Sequence, residues 1–179
     1  MKLLVYHVVT ECPMHAGQRI VFDENHPNGV CRRVRAWEAI QRGEDVEPEL
    51  SGLILSNSAR WAQVARRELA MEQVRRERFP EYPSRMACLY TSRRLEEARS
   101  WAKFFQMLGR KVYSIVLLEV NGRIFDGDAC NCFDGVGNET DLSNALLYWQ
   151  NAPTEKPVIE TIVDGEIIVK EMIETFMTE

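Results

Sequence analysis

The amino-acid sequence predicts an α+β fold whose strands pair mainly antiparallel. Short strand-like segments are interspersed with amphipathic helices, and the C-terminal half contains two turn sequences typical of hairpins, Asn121-Gly122 and Asp164-Gly165. Because strands and helices do not alternate regularly, a doubly wound parallel sheet is not expected. A chain of 179 residues fits one domain, which we predict to span residues 1–179.

The composition is ordinary for a globular protein, with 45% hydrophobic and 27% charged residues. No apolar run approaches the roughly 20 residues that a membrane-spanning helix needs. The first residues lack the features of a signal peptide. We therefore expect a cytoplasmic protein without a membrane partner, in which the five cysteines are reduced thiols.

Charge is distributed unevenly along the chain, although the net charge is only −5. Residues 58–111 contain 13 Lys and Arg against 6 Asp and Glu, whereas residues 112–179 contain 3 against 13. The negative net charge argues against a general polyanion-binding protein. The basic middle segment keeps nucleic acid open as a partner, since Arg-rich faces contact phosphate backbones. The alternative is that most of these arginines lie on solvated helix faces.

The N-terminal half is predicted to begin with two strands and to continue with helices. Residues 2–9 are apolar enough for a strand buried on both faces, and Arg19–Phe22 is a second short strand. A short helix is expected within residues 30–42, followed by a polar connection over residues 44–57. Ser58 is expected to cap a long helix that follows this connection.

A strand followed by an amphipathic helix lies at the centre of the predicted fold. Residues 86–90 read as a short buried strand, and Ser92 is expected to cap a helix that ends at Gly109. Tyr90 lies at the end of the strand, and Trp101 lies on the inner face of the helix. The two rings either face each other across a slot or fill the core, and aromatic residues at helical spacing are usually core residues.

The C-terminal half is predicted to contain two hairpins and a short helix. A strand over residues 112–120 is expected to reverse at Asn121-Gly122 and to return antiparallel. The helix is expected at residues 142–149, capped by Asp141. The strands at residues 157–163 and 166–173 are expected to form the second hairpin.

Glycine-rich phosphate-binding motifs and metal-ligand motifs are both lacking. No Gly-x-Gly-x-x-Gly and no Walker loop follows a predicted strand. Cys130 and Cys132 form a Cys-x-Cys pair, but no second Cys or His pair lies at ligand spacing, so we expect no metal. A structural protein that binds metal through these cysteines and the nearby aspartates remains an alternative.

Three residues occur along the chain in the order His, Tyr, Glu. His7 lies on the first strand within Tyr6-His7-Val8-Val9-Thr10, Tyr90 ends the central strand, and Glu160 lies in a late apolar strand. This order resembles the His–Tyr–Glu pattern of the diphtheria-toxin-like ADP-ribosyltransferase superfamily. Nearly the whole chain is also similar to an uncharacterised bacterial family placed in that superfamily, above all at residues 81–90 and 125–134.

The resemblance implies a split antiparallel β-core with helices packed around it, and NAD as co-substrate in a cleft between two small sheets. His7 would hydrogen-bond the adenosine-side ribose of NAD. Tyr90 would stack on the nicotinamide ring, with Trp101 as the second aromatic residue. Glu160 would stabilise positive charge on the nicotinamide ribose.

Three further residues are predicted NAD contacts: Thr10, Arg85 and Ser92. Glu166 is the rival of Glu160 for the catalytic role, and Glu160 is favoured because apolar residues surround it in the sequence. Some transferases of the superfamily carry a second Glu or Gln two residues before the catalytic Glu. That position is Val158 here, which makes modification of arginine side chains a less favoured activity.

The implied function is an NAD-dependent ADP-ribosyltransferase that cleaves the nicotinamide–ribose bond and transfers ADP-ribose to a protein or a nucleic acid. A bacterial toxin or defence effector is the implied context, with an antitoxin protein as an implied partner. The alternative is a catalytically silent domain of the same fold, which binds a nucleotide or a protein.

Overall fold

Two antiparallel sheets and five α-helices make up the part of the chain that the computed structural model describes, residues 2–176. The strands are β1 (Leu3–Val9), β2 (Arg19–Phe22), β3 (Leu89–Thr91), β4 (Ser114–Asn121), β5 (Ile124–Asp128), β6 (Ile159–Val163) and β7 (Gly165–Thr175). The helices are α1 (Gly29–Gln41), α2 (Pro48–Ser56), α3 (Ser58–Arg78), α4 (Leu95–Met107) and α5 (Glu139–Trp149). The α+β fold class is therefore confirmed. The predicted domain ends, residues 1 and 179, lie outside the described residues.

The larger sheet has the strand order β1-β4-β7-β2, and the smaller sheet has the order β3-β6-β5. The edge strands β1 and β3 meet at a bridge between Tyr6 and Ser92, whose backbone groups exchange two hydrogen bonds of 2.8 Å. This bridge brings the middle of β1 beside the C-terminal end of β3. His7 and Tyr90 are thereby placed next to each other.

Three apolar clusters hold the layers together. One lies between the smaller sheet and the helices α3 and α5, and Trp149 is its largest buried residue. A second joins Val5 and Val169 of the larger sheet to Val163 of the smaller sheet, so it lies between the sheets. A third packs α4 against β1 and β4 around Ala98. In the described part of the chain, no helix is both long and apolar enough to cross a membrane.

Residues 44–57 are not merely a polar connection, because they contain α2. Pro48 occupies the first turn of this helix, where its missing N–H group costs no hydrogen bond. Ile54 is buried, whereas Leu53 and Leu55 are exposed. Pro48 and Gly52 are residues typical of loops, but proline is also favoured at the first position of a helix, and α2 begins there.

The predicted helix caps Ser58, Ser92 and Asp141 are wrong. The helices concerned begin after Asn57, Arg94 and Asn138. The Asn57 and Asn138 side chains each accept a hydrogen bond from a free N–H of the first turn, at 3.3 and 2.9 Å. An asparagine therefore takes over the function of the predicted cap, one residue before Ser58 and three residues before Asp141. Ser92 is instead held in the bridge between the two sheets.

Neither predicted hairpin forms. The strands β4 and β5 belong to different sheets, and so do β6 and β7, so the chain crosses between the sheets at both turn sequences. The two crossings contact each other through the buried carboxylate of Asp164, which accepts a 2.7 Å hydrogen bond from the Arg123 backbone N–H. Each strand thereby joins a sheet of three or four strands. This arrangement is favourable because an isolated two-stranded hairpin is only marginally stable.

Two glycines allow the crossings to approach each other. A Cβ atom at Gly122 would lie 2.0 Å from the carbonyl oxygen of Asp164. Gly165 has a φ of +81°, and a Cβ atom there would lie 2.4 Å from the carbonyl oxygen of Asn121. Both neighbouring atoms belong to the backbone and cannot move aside without distorting a strand end.

We expect Gly165→Ala to lower the free energy of unfolding by about 2 kcal/mol or more, since the left-handed conformation alone costs about 1–3 kcal/mol in a non-glycine residue. Gly43→Ala is the matched control. Gly43 has a φ of +72°, but nothing lies within 4 Å of its Cβ position. Urea unfolding of both variants measures the difference, and equal losses would contradict the tight crossing.

Candidate functional site

Glu160 lies in the central strand of the smaller sheet, on the face that packs against α3 and α5. It pairs with Gly127 of β5, while Ile162, two residues later, pairs with Tyr90 of β3. Because side chains alternate along a strand, Glu160 and Tyr90 lie on the same face of the sheet. The sheet register therefore brings two of the predicted site residues close together.

Arg85 is the centre of a buried polar group that we call the Arg85 cluster (Glu68, Arg85, Tyr148 and Glu160). Its guanidinium donates to Glu68 Oε2 at 2.9 Å, to Glu160 Oε1 at 2.5 Å and to the Tyr148 hydroxyl at 2.7 Å. Arg85 is 6% exposed and Glu68 is 1% exposed. A charged group buried this deeply must be paired, and each of these is.

Tyr148 links Arg85 to Glu160. Its hydroxyl accepts from Arg85 and donates to Glu160 Oε1 at 2.6 Å. The ring reaches this position because residue 127 is glycine: a Cβ atom there would lie 3.2 Å from the Tyr148 hydroxyl and 2.7 Å from the Phe125 ring. The glycine in β5 thus makes room for the tyrosine that contacts the carboxylate.

The pKa values of the cluster follow from its burial and its charges. Burial alone raises the pKa of Glu68, but the attraction of Arg85 and Arg67 outweighs burial, so the pKa lies below its usual value. Burial raises the pKa of Tyr148 well above its usual value. At neutral pH Glu68 is therefore charged, and Tyr148 remains a phenol that can donate its proton to Glu160.

The carboxylate of Glu160 is held on one side only. Both of its hydrogen bonds go to Oε1, whereas Oε2 has no partner among the described residues. Oε2 is also not among the buried unpaired atoms of that part of the chain, and the side chain is 13% exposed. One oxygen thus fixes the group, and the other faces solvent, where it can accept a hydrogen bond from a ligand.

His7 presents a similar free atom next to Tyr90. Its Nδ1 lies 2.8 Å from the carbonyl oxygen of Tyr90, which can only accept, so Nδ1 carries the proton. Burial lowers the pKa of His7 and keeps the ring neutral. Nε2 is then an acceptor, and among the described residues it has no partner and is not fully buried.

The two predicted aromatic residues lie close to these groups. The Tyr90 hydroxyl donates to the Arg85 carbonyl oxygen at 3.2 Å, and the Arg85 guanidinium carbon lies 5.3 Å from the centre of the Tyr90 ring. The Trp101 Nε1–H donates to the carbonyl oxygen of Ile159 at 3.2 Å, directly before Glu160. Both side chains are half-buried, so each packs against the protein and keeps some exposed surface.

The remaining predicted contacts are placed differently. Ser92 lies in the bridge beside Tyr90, whereas Thr10 lies at the far end of β1, where its hydroxyl accepts from Arg110 at 3.1 Å. Arg85 is enclosed by carboxylates, so it positions Glu160. Glu166, the rival carboxylate, is exposed on β7 and pairs across the sheet with Val21, so it does not join the group.

Sequence reasoning missed Glu68 and Tyr148. Glu68 lies among the apolar positions of α3, with buried Ala65 three residues before it and buried Met71 three residues after it. A charged residue on the apolar face of a helix signals a buried partner, and this signal was present in the sequence. No comparable signal marks Tyr148, because tyrosine is common on the inner face of helices.

In the described part of the chain, neither Cys130 nor Cys132 forms a hydrogen bond with Glu160. Cys130 is exposed, and its thiol lies 3.4 Å from the carbonyl oxygen of Lys156. Cys132 is half-buried, and burial raises the pKa of its thiol to about 11. Over residues 2–176, no three His, Cys, Asp or Glu side chains are grouped so that they can hold a metal ion.

A cleft of about 480 Å³ between α1 and α3 contains none of the His–Tyr–Glu residues. Most of its charged side chains already have partners: Glu72 accepts from Arg75 at 2.8 Å, and Arg123 pairs with Asp164 at 2.6 Å. Paired charges do not need a ligand. We therefore place the candidate site at Glu160, where unpaired polar atoms reach solvent.

Comparison with known proteins identifies the family of the chain. A family model described as "Protein of unknown function (DUF2441)" matches residues 5–175. No curated protein matches the chain. Since the family model covers nearly the whole chain, the protein belongs to the DUF2441 family.

Proposed function

We propose that the protein is an NAD-dependent ADP-ribosyltransferase with a split antiparallel β-core of the ADP-ribosyltransferase type. The observation that carries the proposal is the one-sided fixation of Glu160. Arg85 and Tyr148 hold Oε1, and Oε2 remains free to contact a ligand. The order His7, Tyr90, Glu160 along the chain supports the same proposal, together with the contact between His7 and Tyr90 and the shared sheet face of Tyr90 and Glu160.

The chemistry of NAD cleavage needs a fixed carboxylate. Breaking the nicotinamide–ribose bond develops positive charge on the ribose, as in glycoside cleavage. A carboxylate already held beside that charge stabilises the transition state more than the ground state. Glu160 fits this role because its position is set by two hydrogen bonds that do not involve Oε2. In the bound state, Oε2 would accept a hydrogen bond from a hydroxyl of the nicotinamide ribose.

The other residues would position NAD. Nε2 of the neutral His7 ring would accept a hydrogen bond from a ribose hydroxyl, because Nδ1 already donates to the Tyr90 carbonyl oxygen. The Tyr90 ring would stack on the nicotinamide, with Trp101 on the next element as the second aromatic contact. A cytoplasmic bacterial toxin or defence effector, opposed by an antitoxin protein, is the context that we propose for this activity.

The wild-type protein is expected to release nicotinamide from NAD, and Tyr90→Leu is expected to raise the KM for NAD about 2- to 10-fold. Removing one aromatic stacking contact costs about 0.5–1.5 kcal/mol beyond the loss of buried area. Liquid chromatography of the released nicotinamide measures both proteins. A folded wild-type protein that neither binds nor cleaves NAD would refute the proposal. Binding without cleavage would instead support a catalytically silent domain of the same fold.

A further inference from the structure

The C-terminal part of α4 exposes an unusual number of large apolar side chains. Phe104 is 45% exposed, Met107 is 84% exposed and Leu108, which follows the helix, is 61% exposed. We call Lys103, Phe104, Met107, Leu108 and Arg110 the α4 surface. Apolar exposure concentrated in one place indicates a binding surface more often than isolated exposed residues do.

The α4 surface is also locally basic within an acidic protein. Residues 98–118 contain no aspartate or glutamate, whereas Lys103, Arg110 and Lys111 are all exposed. The remaining cation of this segment, Arg99, already pairs with Glu174 at 2.6 Å. The Arg110 guanidinium lies 4.5 Å from the centre of the Phe105 ring, so cationic and aromatic groups are interleaved.

The α4 surface is continuous with the candidate site. The Trp101 ring lies 5.8 Å from the ring of Phe104 and 5.8 Å from the ring of Phe105, centre to centre. The same Trp101 side chain contacts the residue before Glu160. A molecule bound along α4 would therefore have one end beside the proposed reaction centre.

We propose that the α4 surface binds single-stranded nucleic acid and that this strand is the acceptor of ADP-ribose. Aromatic rings on which bases stack, flanked by cations that contact phosphates, are the features by which proteins bind single strands. Because residues 98–118 contain no acidic side chain, a polyanion that approaches α4 meets no like charge from this segment. A membrane is disfavoured, because a helix that lies on a bilayer needs an exposed apolar face along its whole length, and α4 exposes large apolar side chains only at its C-terminal end.

The acceptor role rests on the proposed function, whereas binding of the strand does not. In the transfer, the C1′–nitrogen bond of NAD breaks, and its electron pair leaves with nicotinamide. A nitrogen or oxygen of the nucleic acid forms the new bond to C1′, and its proton passes to water. Products of this reaction carry the mass of ADP-ribose on the nucleic acid.

Fluorescence anisotropy with a short labelled single-stranded DNA tests the binding without NAD. We expect Phe104→Ala to weaken binding about 5- to 150-fold, the loss typical of one stacked base. Phe104→Leu should weaken it similarly, because it keeps an apolar side chain but removes the ring. The double variant Lys103→Gln/Arg110→Gln should make the slope of log K against log salt shallower by about 1.4, as for two lost phosphate contacts. Arg32→Gln, on the exposed side of α1, is the control and should bind normally.

The outcomes separate this inference from the proposed function. Absence of DNA binding, or wild-type binding by Phe104→Leu, would overturn the inference, and so would binding to phosphatidylserine vesicles in place of DNA. If NAD is cleaved and DNA is bound, but mass spectrometry finds no ADP-ribose on the DNA, the acceptor role is refuted. If DNA binds but NAD is not cleaved, the proposed function fails and the binding surface remains.

Discussion

Glu160→Gln is expected to slow the release of nicotinamide from NAD about 10²–10³-fold, the usual loss when one group that stabilises transition-state charge is removed. Glutamine keeps the length of the side chain and can still accept from Arg85 and Tyr148 through its oxygen. The substitution replaces the free carboxylate oxygen by an NH2 group and removes the negative charge. The loss should therefore appear in kcat, while the KM for NAD changes little.

The matched control for this prediction is Glu166→Gln. Glu166 is the other carboxylate of the late strands, but it is exposed on β7 and belongs to the larger sheet. Its variant should cleave NAD at the wild-type rate. Urea unfolding of both variants is the folding control. Both should unfold at the same urea concentration as the wild type, because Arg85 keeps Glu68 as a charged partner when Glu160 is neutralised. Normal activity of Glu160→Gln would exclude Glu160 as the catalytic carboxylate.

The strands and helices of this fold were largely predictable, whereas the connection of the sheets was not. Apolar runs and turn residues marked β1, β2, β4 and α5 close to their observed limits. Asn121-Gly122 and Asp164-Gly165 specify a sharp reversal, but a reversal does not determine which sheet receives the next strand. That choice depends on packing between residues far apart in sequence, such as Val5 and Val163, which periodicity cannot reveal.

The candidate site shows the same division. The order of His7, Tyr90 and Glu160 could be read from the sequence, because each lies in a segment with clear strand character. The role of Arg85 could not, because its partners come from α3 and β6, 17 residues before it and 75 residues after it. The sequence predicts Arg85 as a contact of NAD, and only the structure places two carboxylates around it.

Arg85→Met is expected to lower the free energy of unfolding by about 3–5 kcal/mol, the usual cost of removing one member of a buried ion pair. Methionine fills much of the space but leaves Glu68 with Arg67 as its remaining cationic partner. Arg76→Met is the control, because Arg76 is exposed and its pair with Glu72 contributes at most about 1 kcal/mol. Urea unfolding at neutral pH compares the two, and equal losses would contradict the structural importance of the Arg85 cluster.

The pH dependence of these variants gives a second and independent test. Burial raises the pKa of Glu68, but Arg85 and Arg67 lower it further than burial raises it, so it lies below the usual 4.5. In the wild-type protein this group therefore stabilises the fold above about pH 4.5 and stops doing so as the pH falls through its folded-state pKa.

Without Arg85 the largest attraction for the Glu68 carboxylate is gone, and burial then disfavours its charged form. Protonation relieves this cost, so the stability difference between Arg85→Met and wild type should shrink as the pH falls from 7 towards 4. The double variant Arg85→Met/Glu68→Met should be more stable than Arg85→Met at neutral pH, because it removes the poorly paired carboxylate. A stability difference that stays constant with pH would mean that the loss comes from packing and not from the charge of Glu68.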